Sequence, residues 1–137
     1  MAFDPKSDYP LGTRRPDLVS TPGGIPLDEV TLEAVRTGAV GAGEMRATPE
    51  TLRLQSEVAL AAGRTQLAES LDRAAELAAV PDELLLEVYT ALRPRRATAA
   101  ELEEWASRLE GYEAVKTAAF VREASAVYAA RGLLADA

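Results

Sequence analysis

The stretch TPETLRLQSEVALAAGRTQLAESLDRAAELAAVP, residues 48–81, decides the fold class. It opens on Thr48 and Pro49. A hydroxyl there can cap a helix, and the missing proline N–H costs nothing at the first helical position. Leu54, Val58, Ala61 and Ala62 follow at i, i+4, i+7 and i+8, the spacing of one buried helical stripe. Gly63 supplies the left-handed residue that ends the run. Thr65 is placed to cap a second helix with Leu67, Leu71, Ala74, Ala75 and Ala78 on its inward face, and Glu69 to Arg73 adds an i,i+4 ion pair. The two-residue link between the stripes predicts an antiparallel helical hairpin.

The same period continues on both sides. Pro81 opens a helix with Leu85, Val88, Tyr89 and Leu92 inward, and Pro94 closes it. Thr98 with Glu101 reads as a capping box ahead of Leu102, Trp105, Ala106 and Leu109. A last helix over 112–131 carries Phe120, Ala124, Val127 and Tyr128 on one stripe and stops at Gly132. At about 1.5 Å per residue it is roughly 30 Å long. Upstream, 28–37 reads as a short helix ended by Gly38, and 41–48 as a connector with about one turn. No period-two pattern interrupts this, so the expected class is all-α, a small bundle of about five helices.

Residues 1–26 differ. They hold five of the eight prolines (Pro5, Pro10, Pro16, Pro22, Pro26) and Gly12, Gly23 and Gly24. Because proline lacks an N–H and fixes φ, a non-helical extended arm is expected, followed by one helical domain over 27–137. Tyr9, Leu11, Leu18, Val19 and Ile25 punctuate the arm like anchors. Such a segment either lies on its own domain or wraps a neighbour, and the spacing favours neither.

Composition excludes several functions. A chain of 137 residues suits a single core. Its apolar content is 47% with only 5% aromatic, so that core must be Leu, Val and Ala on closely packed helices. Cysteine and histidine are both absent. Disulfides, thiolate metal sites, Cys nucleophiles, imidazole ligands and a Ser-His-Asp triad are therefore ruled out. A net charge of −7 works against nucleic acid, where Lys and Arg must replace counterions. No run approaches the roughly 20 apolar residues of a membrane span, and 1–10 lacks a signal-peptide apolar core, so a cytoplasmic protein is expected.

The residues that could carry chemistry have plainer explanations. Asp28 and Glu29, Asp82 and Glu83, and Glu101, Glu103 and Glu104 lie at or near expected helix N-termini, where the exposed N–H groups favour negative charge. The stretch 38–43 (GAVGAG) has the flavour of a phosphate loop but no preceding strand, so it reads as a link. No catalytic, cofactor-binding or metal-binding residue is expected. The arginines Arg14, Arg15, Arg46, Arg53, Arg93, Arg95, Arg96 and Arg122 are either solvated charge or forks for bidentate ion pairs, inside the chain or with a partner. Trp105 reads as core. Tyr9, beside Pro10 and Leu11, suits an anchor that buries its ring and keeps its hydroxyl bonded. The candidate subunit interface is thus Tyr9, Leu11, Arg14, Arg15, Arg46, Arg53 and Arg93.

Beyond these patterns, three strings carry a resemblance: 8–11 (DYPL), 31–33 (TLE) and, most specific, 45–55 (MRATPETLRLQ). Together with 62–64 (AGR), 74–77 (AAEL), 80–82 (VPD), 91–94 (ALRP) and 119–124 (AFVREA), they resemble the small (gamma) subunit of adenosylcobalamin (B12)-dependent propanediol and glycerol dehydratases. The resemblance spans residues 8–131.

It implies an α2β2γ2 heterohexamer in which a large TIM-barrel subunit encloses the substrate and a metal ion, and cobalamin sits between the large and medium subunits. The adenosyl radical abstracts hydrogen from the 1,2-diol, a hydroxyl migrates, and water is lost to give an aldehyde. The small subunit packs on the large one and supplies no known catalytic residue, so this chain itself is expected to bind no cofactor. Some small subunits of this family carry a longer N-terminal extension linked to packaging in a bacterial microcompartment. Few residues precede Asp8 here, so packaging in a microcompartment is left open. The rival expectations are a free-standing acidic helical adaptor and, remotely, an autonomous carboxylate hydrolase.

Overall fold

A computed structural model describes residues 2–136, and within them helices account for the regular structure, joined by 3₁₀ turns and a single isolated bridge between Ser20 and Pro26. The protein is all-α. Its contacts divide it into two compact units, separated between Ala78 and Ala79.

The first unit begins with the arm, which is more folded than its prolines suggest. α1 (Leu11–Arg14) is one helical turn, Pro16–Leu18 is a 3₁₀ turn, and Leu11 is only 2% exposed. Proline is tolerated here because Pro10 stands just before the turn and Pro16 at its first position, where no N–H is required. The expected helix over 28–37 is broken. A 3₁₀ turn, Leu27–Glu29, ends at Val30, and α2 (Leu32–Thr37) restarts on a Thr31 cap that accepts the Ala34 N–H at 3.1 Å. Gly38 closes α2 with φ +79°. The 41–48 connector contains the 3₁₀ turn Ala42–Met45.

α3 (Pro49–Ala61) starts on Thr48, whose hydroxyl accepts the Thr51 N–H. It ends with Gly63 at φ +73°, while the Arg64 N–H returns to the Ala59 carbonyl at 2.8 Å, so the helix terminates as the glycine predicts. α4 (Thr65–Leu77) packs against α3. Its N-cap is Arg64, not Thr65, which is already the first helical residue.

In the second unit, α5 (Asp82–Ala91) follows Pro81, and α6 (Ala99–Glu110) carries the expected capping box of Thr98 and Glu101. α7 (Val115–Arg131) begins three residues later than expected, after a left-handed Glu113 (φ +61°), and stops at Gly132 (φ +63°). Leu102, Ala106, Leu109, Ala114, Ala118 and Val121 are at most 1% exposed and form the centre of this unit. The C-terminal tail is tied to the turn after α5: Arg95 N–H donates to Leu133, Ala135 N–H to Ala97, and the Tyr128 hydroxyl to the Leu92 carbonyl at 2.6 Å.

The largest departure from the expected pattern concerns which residues face inward. Buried positions are small: Ser56 and Ala59 on α3, Ala68 and Ala75 on α4, and Thr117 and Ala118 beside Val121 on α7. Several large residues assigned to the inward stripes lie outside, whereas Val88, Leu102 and Leu109 are buried as expected. Leu67 is exposed, as are Tyr89, Phe120 and Val127, and Ala61, Ala62 and Ala78 are open as well. Closely spaced helix axes require small side chains at the contact, and the bulky residues then flank it. A period that treats Ala and Leu alike cannot distinguish these two faces.

Candidate subunit interface

The candidate interface residues of the arm fall into two roles. Arg15 is a clamp. Its guanidinium bonds Asp17 at 2.9 Å and Asp8 at 3.1 Å, so one fork closes both sides of the α1 turn. The bond from Arg15 holds the Asp17 carboxyl below the usual carboxylate range, and bonding to Asp17 first and Asp8 second raises the Arg15 guanidinium. Leu11 is buried within the same unit. Both side chains are thus used to shape the arm, whereas Tyr9 is 53% exposed and Arg14 points to solvent.

Tyr9, with Pro5 and Lys6, forms one wall of an open groove of about 480 Å³ whose floor is the α3–α4 hairpin at Val58, Ala62 and Leu67. The arm therefore lies along its own unit, the first of the two placements its anchors allow. Arg46 lines a second, more polar hollow between the turn at 20–24 and the start of α3. Arg53 is exposed on α3 and Arg93 follows α5. Neither forms an ion pair among the described residues. These seven residues do not converge on one cavity.

The bidentate ion pair foreseen for an arginine appears at Arg122. On α7 it bonds Glu103 at 2.7 Å and also Glu110, both on α6, and so straddles the helix pair. Its guanidinium is raised by Glu110 and then Glu103, and both carboxyls are lowered chiefly by Arg122. Glu103 is accordingly a partner of α7 more than a charge at a helix start. The Trp105 ring is half-buried, and the Arg108 guanidinium lies 4.4 Å above it. Among the described residues no three His, Cys, Asp or Glu side chains are grouped to hold a metal ion, and no helix is long and apolar enough to cross a membrane.

Two contributors escaped the sequence pattern. Ser56 donates from α3 to the Ala68 carbonyl of α4 at 3.0 Å, fully buried, and Glu44 reaches back to the arm at Thr21 and Gly23. The signal for Ser56 is its three-residue spacing from Ala59, a small-residue edge on α3 that could have been read as the close contact. No local pattern announces Glu44, because its partners lie more than 20 positions away.

Exposed large apolar side chains such as Leu60, Leu67, Leu86 and Tyr89 are a feature of chains that present surface to another protein. The comparisons with known proteins agree. The family model for the dehydratase small subunit matches residues 5–135. The propanediol dehydratase small subunit of Citrobacter freundii is 53% identical over 126 residues, which is 91% of this chain and 73% of that protein. Its counterpart from Salmonella typhimurium is 52% identical over the same length and coverage. This chain belongs to the dehydratase small-subunit family, and its place is that of a subunit of an enzyme complex.

Proposed function

We propose that this chain is the non-catalytic small subunit of an adenosylcobalamin-dependent dehydratase that converts propane-1,2-diol or glycerol to an aldehyde, and that it packs on and supports the catalytic large subunit. Its partners are the large TIM-barrel subunit and the medium, cobalamin-binding subunit of an α2β2γ2 assembly in the cytoplasm. The names of the relatives support the substrate class.

The observation that carries the supporting role is the set of large apolar side chains left exposed on the helices. Leu60 (59% exposed) and Leu67 on the α3–α4 hairpin, and Leu86 and Tyr89 on α5, form apolar surface that a companion would cover. The family resemblance gives the small subunit no part in holding cobalamin. Its binding and the radical chemistry are therefore assigned to the other subunits. Within this chain, 1–26 acts as an arm laid on the α3–α4 hairpin of its own unit. Tyr9, Arg14, Arg46, Arg53 and Arg93 are the side chains offered to a partner, with Leu11 and Arg15 holding the arm in shape.

Co-expression with the two larger subunits, followed by native mass measurement and a B12-dependent diol dehydration assay, tests this reading. The expected result is incorporation at equal stoichiometry with the other two subunits and a loss of stable activity when the chain is omitted. A chain that stays free and whose omission changes nothing would instead be an adaptor, and turnover by the chain alone would make it an enzyme.

A further inference from the structure

The arm's second half is bonded by Glu44, a residue from outside it. Between Ser20 and Pro26 the chain makes a tight loop. Thr21 N–H donates to Ile25 at 3.0 Å, Gly24 N–H donates to Thr21 at 2.9 Å, and Gly24 takes φ +86°. Only a residue without Cβ adopts that angle freely.

The hub is Thr21, which is 8% exposed. Its hydroxyl accepts the Ile25 N–H at 3.0 Å and donates to the Glu44 carboxylate. That carboxylate also accepts the Gly23 N–H at 2.9 Å. Glu44 sits on the Ala42–Met45 turn, which is held in place by the buried Val40 before it and the Thr48 cap after it. Gly23 leaves just enough room, since a Cβ there would run into the Glu44 carboxylate.

We infer that Glu44 is a latch that holds the 20–26 loop of the arm closed on its own unit, so that the free chain presents a preformed arm and not a disordered tail. Two hydrogen bonds accepted by one carboxylate, one of them from a backbone amide, are charge-assisted and stronger than neutral ones. They join segments more than 20 positions apart in the sequence. The consequence for any partner is that the arm docks as an existing shape, without the ordering cost of a segment that folds on binding. This stands on the arm's own geometry and does not depend on the dehydratase assignment.

Amide hydrogen exchange on the full-length free chain tests it. In the unmodified chain, the amides of Gly23, Gly24 and Ile25 should be protected relative to an unstructured peptide. Glu44→Ala should raise their exchange about tenfold or more while leaving the α3 amides unchanged. Gly23→Ala should do the same by displacing the carboxylate, with Glu44 still present. Should Glu44→Ala loosen the whole unit, Thr21→Val decides, because it keeps the volume and removes only the hydroxyl. A selective rise at 23–25 supports the latch. Unprotected amides at 23–25 in the unmodified chain, or no selective change in Gly23→Ala and Thr21→Val, would overturn it.

Discussion

The helix pairs α3–α4 and α6–α7 are both antiparallel, yet they are finished differently. α6–α7 encloses Leu102, Leu109 and Val121, each at most 1% exposed, and is fastened on the outside by Arg122 between Glu103 and Glu110. α3–α4 meets through Ser56, Ala59, Ala68 and Ala75, with its leucines at the edges or outside. The first pair buries its large apolar side chains within its own unit. The second brings its backbones close and leaves its apolar surface unfinished. Two hairpins with nearly the same sequence pattern can therefore serve opposite ends, one a closed core and the other a surface waiting for cover.

The largest effect should come from opening the closed pair. Leu109→Ala removes a fully buried side chain and should lower stability by about 3 kcal/mol, read by urea unfolding with Trp105, the chain's one tryptophan, as the probe. The equivalent change on the open pair should behave in reverse. Leu67→Ser should leave the free chain within about 0.5 kcal/mol of its original stability. If the proposed assembly holds, it should weaken association with the companion subunit about tenfold, or ~1.4 kcal/mol, measured by titration of the assembled complex. A Leu67→Ser chain that unfolds yet still assembles normally would erase the contrast between the pairs.

Ser56→Ala keeps the small contact but removes the buried bond to Ala68, and about 1 kcal/mol should be lost. Circular dichroism detects this loss, and an unchanged melting curve would mean that packing alone joins α3 to α4. The smallest effect belongs to Arg122→Gln, because exposed ion pairs contribute little. Its signature is in pH. Glu103 and Glu110 lie below their ordinary value of 4.5 in the folded chain, so their contribution is complete above that value and is lost as pH falls through the lowered folded values. Arg122→Gln should flatten this acid limb and, unlike the original chain, should be insensitive to salt near neutrality.

Particular residues show how far the pattern could be read. Pro49, Gly63, Gly132 and the Thr98–Glu101 box were legible because capping and termination are local: the groups that satisfy a helix end lie within four residues of it. Size and period put Tyr89, Phe120 and Val127 inward, but the buried face of α5 is Leu84 and Val88 and that of α7 is Thr117, Ala118 and Val121. Arg122 was legible as a fork in search of carboxylates, while the identity of those carboxylates was not, since Glu103 is 19 positions distant and on another helix. The arm's anchors were legible as anchors. That Leu11 would bury and Tyr9 would not is invisible in the string itself.

Sequence by itself determined the helical class, the ends of the main helices, the absence of imidazole and thiolate chemistry, and the family, because each depends on residue identity or on spacing within a few positions. Tertiary structure alone decided which face of each helix is covered, that Arg15 and Glu44 fold the arm back on its unit, and that Arg122 fastens α6 to α7. Those outcomes depend on which side chains fit between two close backbones and on charges brought together from distant positions, quantities that exist only once the chain is folded.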